Sequence, residues 1–351
     1  MKLNILICFT IAALGLILNI KHNNPYFDPK KSHHTATGFK NPYLSSDDQR
    51  KNFSDLLKMI ATKRPNPNIK EVKRLNVDSL YMKIKRGKNF ITWVGHSTML
   101  LHFNRKTILT DPIFSDRCSP VQFLGPKRYS VPAIDIESLP KIDIIIISHN
   151  HYDHLDKNSV ESLGRDSSTV WCVPLGLKTW FRKLGIENVI EMDWFEEQNK
   201  SNVQITCLPS QHWSKRSLFK SFDTLWSSWL IQVGSFKFWF AGDTGYNNIQ
   251  FKQIGDSYGP FDLTAIPIGA YEPRWFMKNF HVNPLESMSI HKDVKSKKSI
   301  GMHFGTFVLT TEPVMEPIKK IKHLIAEDKS FEGKFLIPEQ GIFYSVDFKT
   351  Q

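Results

Sequence analysis

Six consecutive residues, His149-Asn150-His151-Tyr152-Asp153-His154, carry four side chains able to bind metal ions. Imidazole and carboxylate are ligands that zinc accepts alongside thiolate. Side chains alternate along an extended chain, so His149 and His151 point the same way and can share one ion. Asp153 and His154 lie further along and can reach a second. The bland reading is a solvated, His-rich turn, and the position of the motif argues against it. It follows Ile144-Ile145-Ile146-Ile147, a β-branched run of the kind found in strands buried on both faces. Further candidates recur at the ends of later strand-like runs. His212 follows Val203–Leu208, Asp243 follows Phe236–Phe240, and His303 follows Ser299–Met302. Gly242 and Gly245 allow tight backbone approach around Asp243, which could bridge two ions. Each of these three residues alone is more often structural. Their recurrence at strand ends, after so dense a loop, reverses that reading and makes them candidate ligands.

The elements that must hold these residues fall into two blocks. Residues 90–94, 99–103 and 107–109 read as an antiparallel meander, followed by the isoleucine run. A second block holds Val203–Leu208, Ser228–Val233 and Phe236–Phe240, with Gly234 at a turn. Helical patterns occupy 54–61, 175–184, 284–294 and Glu316–Glu327. Two strand blocks with intervening helices predict an α+β architecture of two sheets packed face to face and covered by helices. No internal repeat is apparent.

With 351 residues, 41% of them hydrophobic and 23% charged, the chain can fill a sizeable core. Its formal net charge of +12 attracts anionic partners such as phospholipid headgroups or phosphorylated substrates, without choosing among them. No nucleic-acid-binding module or aromatic RNA motif accompanies that charge, so nucleic acid is not an expected partner. The four cysteines, Cys8, Cys118, Cys172 and Cys207, show neither close pairing nor zinc-ligand spacing and read as small apolar residues. Residues 5–20 are almost wholly apolar between Lys2 and Lys21. A helix there would run roughly 24 Å, slightly short of the hydrocarbon layer. Bulky residues replace a clean cleavage site, which favours an uncleaved signal-anchor over a signal peptide. The expected organisation is an anchor over 1–21, a polar extension or linker over 22–88, and a metal-binding domain over 89–351. The protein should then be membrane-associated, or secreted or periplasmic if the segment is cleaved.

The HxHxDH loop, the strand-end His212, the Asp243 of a Gly-Asp-Thr phrase and the late His303 together resemble the metallo-β-lactamase superfamily. That resemblance implies an αββα sandwich and two zinc ions. One would be held by His149, His151 and His212, the other by Asp153, His154 and His303, with Asp243 shared. A narrower resemblance runs over about residues 88–345. The phrases Leu109-Thr110-Asp111-Pro112-Ile113-Phe114, Gly125-Pro126-Lys127-Arg128 and Gly269-Ala270-Tyr271-Glu272-Pro273-Arg274-Trp275-Phe276-Met277-Lys278 are similar to those of the N-acylphosphatidylethanolamine-hydrolysing phospholipase D family. It implies hydrolysis of a membrane phospholipid to phosphatidic acid and an N-acylethanolamine by a hydroxide bridging the metals, and a homodimer.

For such chemistry, Asp243, Asp153 and His281 are the candidate catalytic residues, His281 as proton donor or orienter and Asp243 as relay. His281 could instead be a packing residue. Asp111 and Asp156 read as carboxylates orienting ligand imidazoles, and His96 as structural or supporting. Tyr152, His281, Arg274 and Trp275 are the candidate substrate contacts. Trp213, Leu218, Phe219, Phe222, Leu225 and Trp226, interleaved with Lys215, Arg216 and Lys220, suit either a membrane-facing lip or a core segment. The competing functions are a hydrolase of a soluble lactone or cyclic phosphodiester, a nucleic-acid-processing enzyme, and a non-catalytic lipid-binding protein. The seven-ligand set argues against the last.

Overall fold

The computed structural model describes residues 23–49, 53–67, 73–217 and 220–346. The apolar run at 5–20, and Leu218 and Phe219, lie outside them. Two seven-stranded sheets form the body. The first orders its strands Phe343–Ser345, Phe90–Gly95, Thr98–Phe103, Lys106–Thr110, Ile144–Ile146, Val170–Pro174 and Val189–Met192. It is an antiparallel meander that turns parallel from Lys106–Thr110 onward. The second orders Phe335–Leu336, Ser299–Met302, Leu263–Pro267, Phe236–Phe240, Ser228–Val233, Val203–Leu208 and Glu197–Lys200, and is likewise mixed.

The isoleucine run shows why the layers form. Ile144 and Ile146 join the core between the sheets, with Ile205, Cys207, Trp229 and Phe238. Ile145 and Ile147 face the other way, against Leu80, Val160 and Phe181 of covering helices. A strand apolar on both faces is stable only between two packed layers, as in an αββα sandwich. The second sheet is covered in turn by helices Gln250–Ser257, Pro284–Asp293 and Glu316–Glu327, which supply Phe251, Ile254, Met288, Ile290 and Ile321. Pro284–Asp293 starts with a capping box, in which Asn283 and Glu286 satisfy each other's backbone N–H groups. Cys118, Cys172 and Cys207 are free and buried.

Two expectations change. The helix predicted over 175–184 is confined to Lys178–Arg182. The segment read as an extended linker is largely packed: Asn24, His33, His34, Phe39 and Asn41 are buried. A helix at Val77–Lys85, capped by Asn76, buries Leu80 against the first sheet. Among the described residues, no helix is long and apolar enough to cross a membrane.

Candidate metal centre

The loops after the strands Ile144–Ile146, Val203–Leu208, Phe236–Phe240 and Ser299–Met302 bring all seven predicted ligands together. His149 Nε2 lies 2.8 Å from His151 Nδ1, which lies 3.2 Å from His212 Nε2. In a neighbouring group, Asp153 Oδ2 is 3.5 Å from His154 Nε2 and 3.4 Å from His303 Nε2. Asp243 Oδ2 sits between the groups, 3.2 Å from His154 Nε2, 3.0 Å from His303 Nε2 and 3.8 Å from His212 Nε2.

The outer partners of these rings decide which nitrogens face inward without hydrogen. Ser148 donates through N and Oγ to Asp111. Its oxygen is then the acceptor for His149 Nδ1 at 2.8 Å. Asp111 Oδ2 accepts from His154 Nδ1 at 2.7 Å, and the Phe280 carbonyl accepts from His212 Nδ1 at 2.9 Å. With Nδ1 so engaged, Nε2 is the ring nitrogen that His149, His154 and His212 turn toward one another and the carboxylates. Buried His154 Nε2, His303 Nε2 and Asp243 Oδ1 have no hydrogen-bond partner. Orphaned buried groups of this kind cost about 1–3 kcal/mol each, and divalent cations satisfy them. The donor set of imidazoles and carboxylates fits zinc-class ions. Without a cation, burial lowers His303, but Asp243 and Asp153 outweigh burial and hold it up at about 9. Metal uptake must displace such protons.

The backbone is strained where it delivers these groups. His96, Asp111 and His303 all have positive φ, at 51°, 34° and 60°, and the His303 N–H donates to the His96 carbonyl at 3.0 Å. Strain of about 1–3 kcal/mol per residue persists only when the surroundings over-determine it. His96 Nε2 lies 3.0 Å from Asp153 Oδ2, close enough to group with Asp153, His154 and His303 as residues able to hold an ion. Gly242, at φ 60°, runs so close to Ser148 that a Cβ would lie 2.7 Å from the serine Cβ.

Of the two carboxylates expected to orient imidazoles, only Asp111 does so. Asp156 instead caps the helix Lys157–Leu163 and accepts from Ser115 and Ser159. Asp111→Ala is expected to weaken metal binding about 10–100-fold, the usual cost of losing such a partner. Competition with a chelator measures it, and unchanged affinity would remove Asp111 from this role.

A cleft of about 650 Å³ opens above the centre. Asp153, Asp243, His151 and His281 lie at its floor, Met59, Trp213, Phe276, Met277 and Leu309 contribute apolar wall, and Arg64, Lys215 and Arg216 contribute positive charge. His281 Nδ1 is 3.9 Å from Asp243 Oδ2 and has no hydrogen-bond partner. Burial pushes its pKa well below the usual histidine range. Tyr152 lines the cleft, but its hydroxyl donates to the Arg216 carbonyl at 2.9 Å. Arg216 donates to the Asn150 and Leu155 carbonyls and stacks over Tyr152, which ties the metal loop to the cleft wall.

Two expected substrate contacts lie elsewhere. Arg274 is held by both Glu286 oxygens and donates to the His281 carbonyl. Its charge is spent on bracing the His281 loop. Trp275 lies outside the cleft wall, with Lys58 over its ring at 4.5 Å. Of the expected apolar lip, Trp213 lines the cleft, whereas Phe222, Leu225 and Trp226 are core residues. Ser148, Met59 and Arg64 were not singled out in the sequence. Ser148 adjoins the motif and could have been found there; the other two reach the cleft only through tertiary folding.

The family model of the beta-lactamase superfamily domain matches residues 106–304. A metallo hydrolase from Ignicoccus hospitalis superposes with a TM-score of 0.56 at 18% identity, over 75% of this chain and 100% of that one. A possible metal-dependent hydrolase from Veillonella parvula gives 0.59 at 15% identity, over 74% and 99%. Fold and site together define a metal-dependent hydrolase of the beta-lactamase superfamily. An N-acyl-phosphatidylethanolamine-hydrolyzing phospholipase D 1 of Caenorhabditis elegans is 44% identical over 72% of this chain and 74% of its own length. A mitochondrial protein of the same name from Saccharomyces cerevisiae is 39% identical over 71% of this chain, but only 54% of the yeast protein is covered. The chain belongs to the N-acylphosphatidylethanolamine-hydrolysing phospholipase D family.

Proposed function

We propose that this protein hydrolyses N-acylphosphatidylethanolamine at the phosphorus–oxygen bond on the ethanolamine side, giving phosphatidic acid and N-acylethanolamine. The observation that carries the reading is the cleft itself. Its floor holds the ligand groups of a two-ion centre, and its walls combine large apolar side chains with cations. A phosphodiester flanked by acyl chains needs both. When bound, two zinc ions supply Lewis acidity toward phosphoryl oxygens and make water a competent nucleophile near neutral pH.

The chain's own residues do the rest. Arg64 and Lys215 attract the phosphate charge, and Met59, Phe276, Met277 and Leu309 receive acyl chain and exclude water. His281 Nδ1, unpartnered at the cleft floor and held neutral by burial, takes the proton released by the attacking water and passes it to the leaving ethanolamine oxygen. The substrate is a membrane lipid, so the working protein sits at a membrane surface.

Hydrolysis in ¹⁸O-labelled water tests the bond choice. The label is expected in phosphatidic acid, detected by mass spectrometry. Label in the N-acylethanolamine hydroxyl, or in a released fatty acid, would refute a phospholipase D reaction even with both ions in place.

A further inference from the structure

We infer that residues 31–49 form a strap that positions the metal ligand His212, with Asn41 as the positioning residue and Asp193 as the strap's anchor. The inference rests on the two-ion reading of the site.

The strap is fixed at one end by a buried cluster. His33 Nε2 lies 2.7 Å from Asp193 Oδ1 and His34 Nε2 lies 2.9 Å from Asp193 Oδ2. His34 Nδ1 accepts the Asp28 N–H, so its Nε2 carries hydrogen and donates to the carboxylate. Lys31 pairs with the same carboxylate, and His33 stacks on Trp194 at 4.2 Å. His33, His34 and Asp193 could be mistaken for a third metal site. The carboxylate is already neutralised and hydrogen-bonded on both oxygens, so the cluster serves as an anchor.

From there the chain crosses toward the catalytic end. The short hairpin of His34–Thr35 and Gly38–Phe39 lies against the backbone of Phe222, with Phe39 N donating to the Phe222 carbonyl at 2.8 Å. A Cβ on Gly38 would lie 2.1 Å from that oxygen, so only glycine permits the approach. Asn41 follows and is 2% exposed. Its Nδ2 donates to the His212 carbonyl at 2.8 Å. Gln49 holds Asn41 in place, accepting from its N–H and donating to its carbonyl.

A second foot reaches the other side of the same ligand. Asp48 accepts from Asn279 Nδ2 at 2.9 Å, and the Asn279 carbonyl accepts from Gln211 Nε2 at 2.9 Å. The next residue, Phe280, provides the carbonyl that holds the His212 ring. The strap thus fixes the backbone of His212 directly and the partner of its imidazole through one intervening residue. Support of this kind sets ligand direction, and its loss weakens metal binding by about 10–100-fold.

The test is zinc titration of chelator-stripped full-length protein, comparing wild type, Asn41→Ala, Asp193→Asn and the double variant. Titration of His212→Ala identifies which binding step belongs to the ion at His149, His151 and His212. The expected result is about tenfold weaker binding in that step alone for Asn41→Ala. Asp193→Asn should show a smaller loss in the same step, and the double variant should not exceed the sum. Unchanged zinc affinity in both single variants overturns the inference. So does parallel weakening of both steps with a matching fall in the thermal midpoint of the metal-free protein, because the strap would then only stabilise the fold. If Asn41→Ala does not fold, Asp48→Ala, on an exposed foot, is read by the same criterion. Absence of zinc uptake by wild type would instead remove the two-ion reading.

Discussion

Asp243→Asn is expected to lose both metal ions and to lower hydrolysis by about 10³-fold or more, equivalent to about 4 kcal/mol of transition-state stabilisation. Asp243 Oδ2 lies within 4 Å of ring nitrogens from both ligand groups, and the side chain is almost wholly buried. In a two-ion centre its negative charge would therefore act on both ions from a region where water screens little. Asparagine keeps the size and one oxygen but removes that charge. His212→Ala makes the contrast, since it removes one neutral imidazole from one group. After dialysis against a weak chelator, elemental analysis should find the asparagine variant depleted of both ions and the alanine variant depleted mainly of one. Loss of a single ion in both would take Asp243 out of its shared position. Retention of both ions by Asp243→Asn would show that the imidazoles and Asp153 carry the affinity without it.

The candidate ligands that the fold brings together were legible in the sequence because each follows a strand whose apolar pattern is unambiguous. The strands Val203–Leu208, Ser228–Val233, Phe236–Phe240 and Ser299–Met302 occupy the predicted residues. A rigid strand end projects the next residues into the site, so local sequence and function coincide there. Legibility fails where function depends on which of two similar groups the fold selects. Asp156 adjoins the motif and Asp111 lies 38 residues before it, yet the distant one braces an imidazole and the adjacent one caps a helix. Arg274 belongs to a distinctive phrase, and distinctiveness did not reveal that Glu286 occupies its guanidinium. The strap is the clearest case. Residues 23–49 are polar and Pro-containing, which reads as linker. Their partners lie some 160–170 positions away: His33 is 160 residues from Asp193, and Asn41 is 171 from His212. No periodicity encodes a contact at that range.

Plain phosphatidylethanolamine is expected to be cleaved at least 100-fold less efficiently than its N-acylated form, measured as kcat/KM on mixed micelles of matched composition. A hundredfold corresponds to about 2.7 kcal/mol. The unacylated headgroup carries an ammonium, and the cleft offers it apolar walls together with the like charges of Arg64, Lys215 and Arg216. Desolvating an uncompensated cation in such a place costs several kcal/mol. N-acylation replaces the ammonium with a neutral amide. It also adds a chain for Met59, Phe276, Met277 and Leu309 to cover, at up to about 0.8 kcal/mol per buried methylene. Much of that second gain is already available to the chain in the lipid phase, so charge removal should dominate. N-acetylphosphatidylethanolamine separates the two effects, since it loses the charge and adds almost no chain. If charge dominates, the acetyl lipid is cleaved nearly as well as the long-chain one. If chain burial dominates, it is as poor as the free amine. Equal rates on all three lipids would mean that the headgroup never enters the apolar cleft, and the proposed binding mode would fail with it.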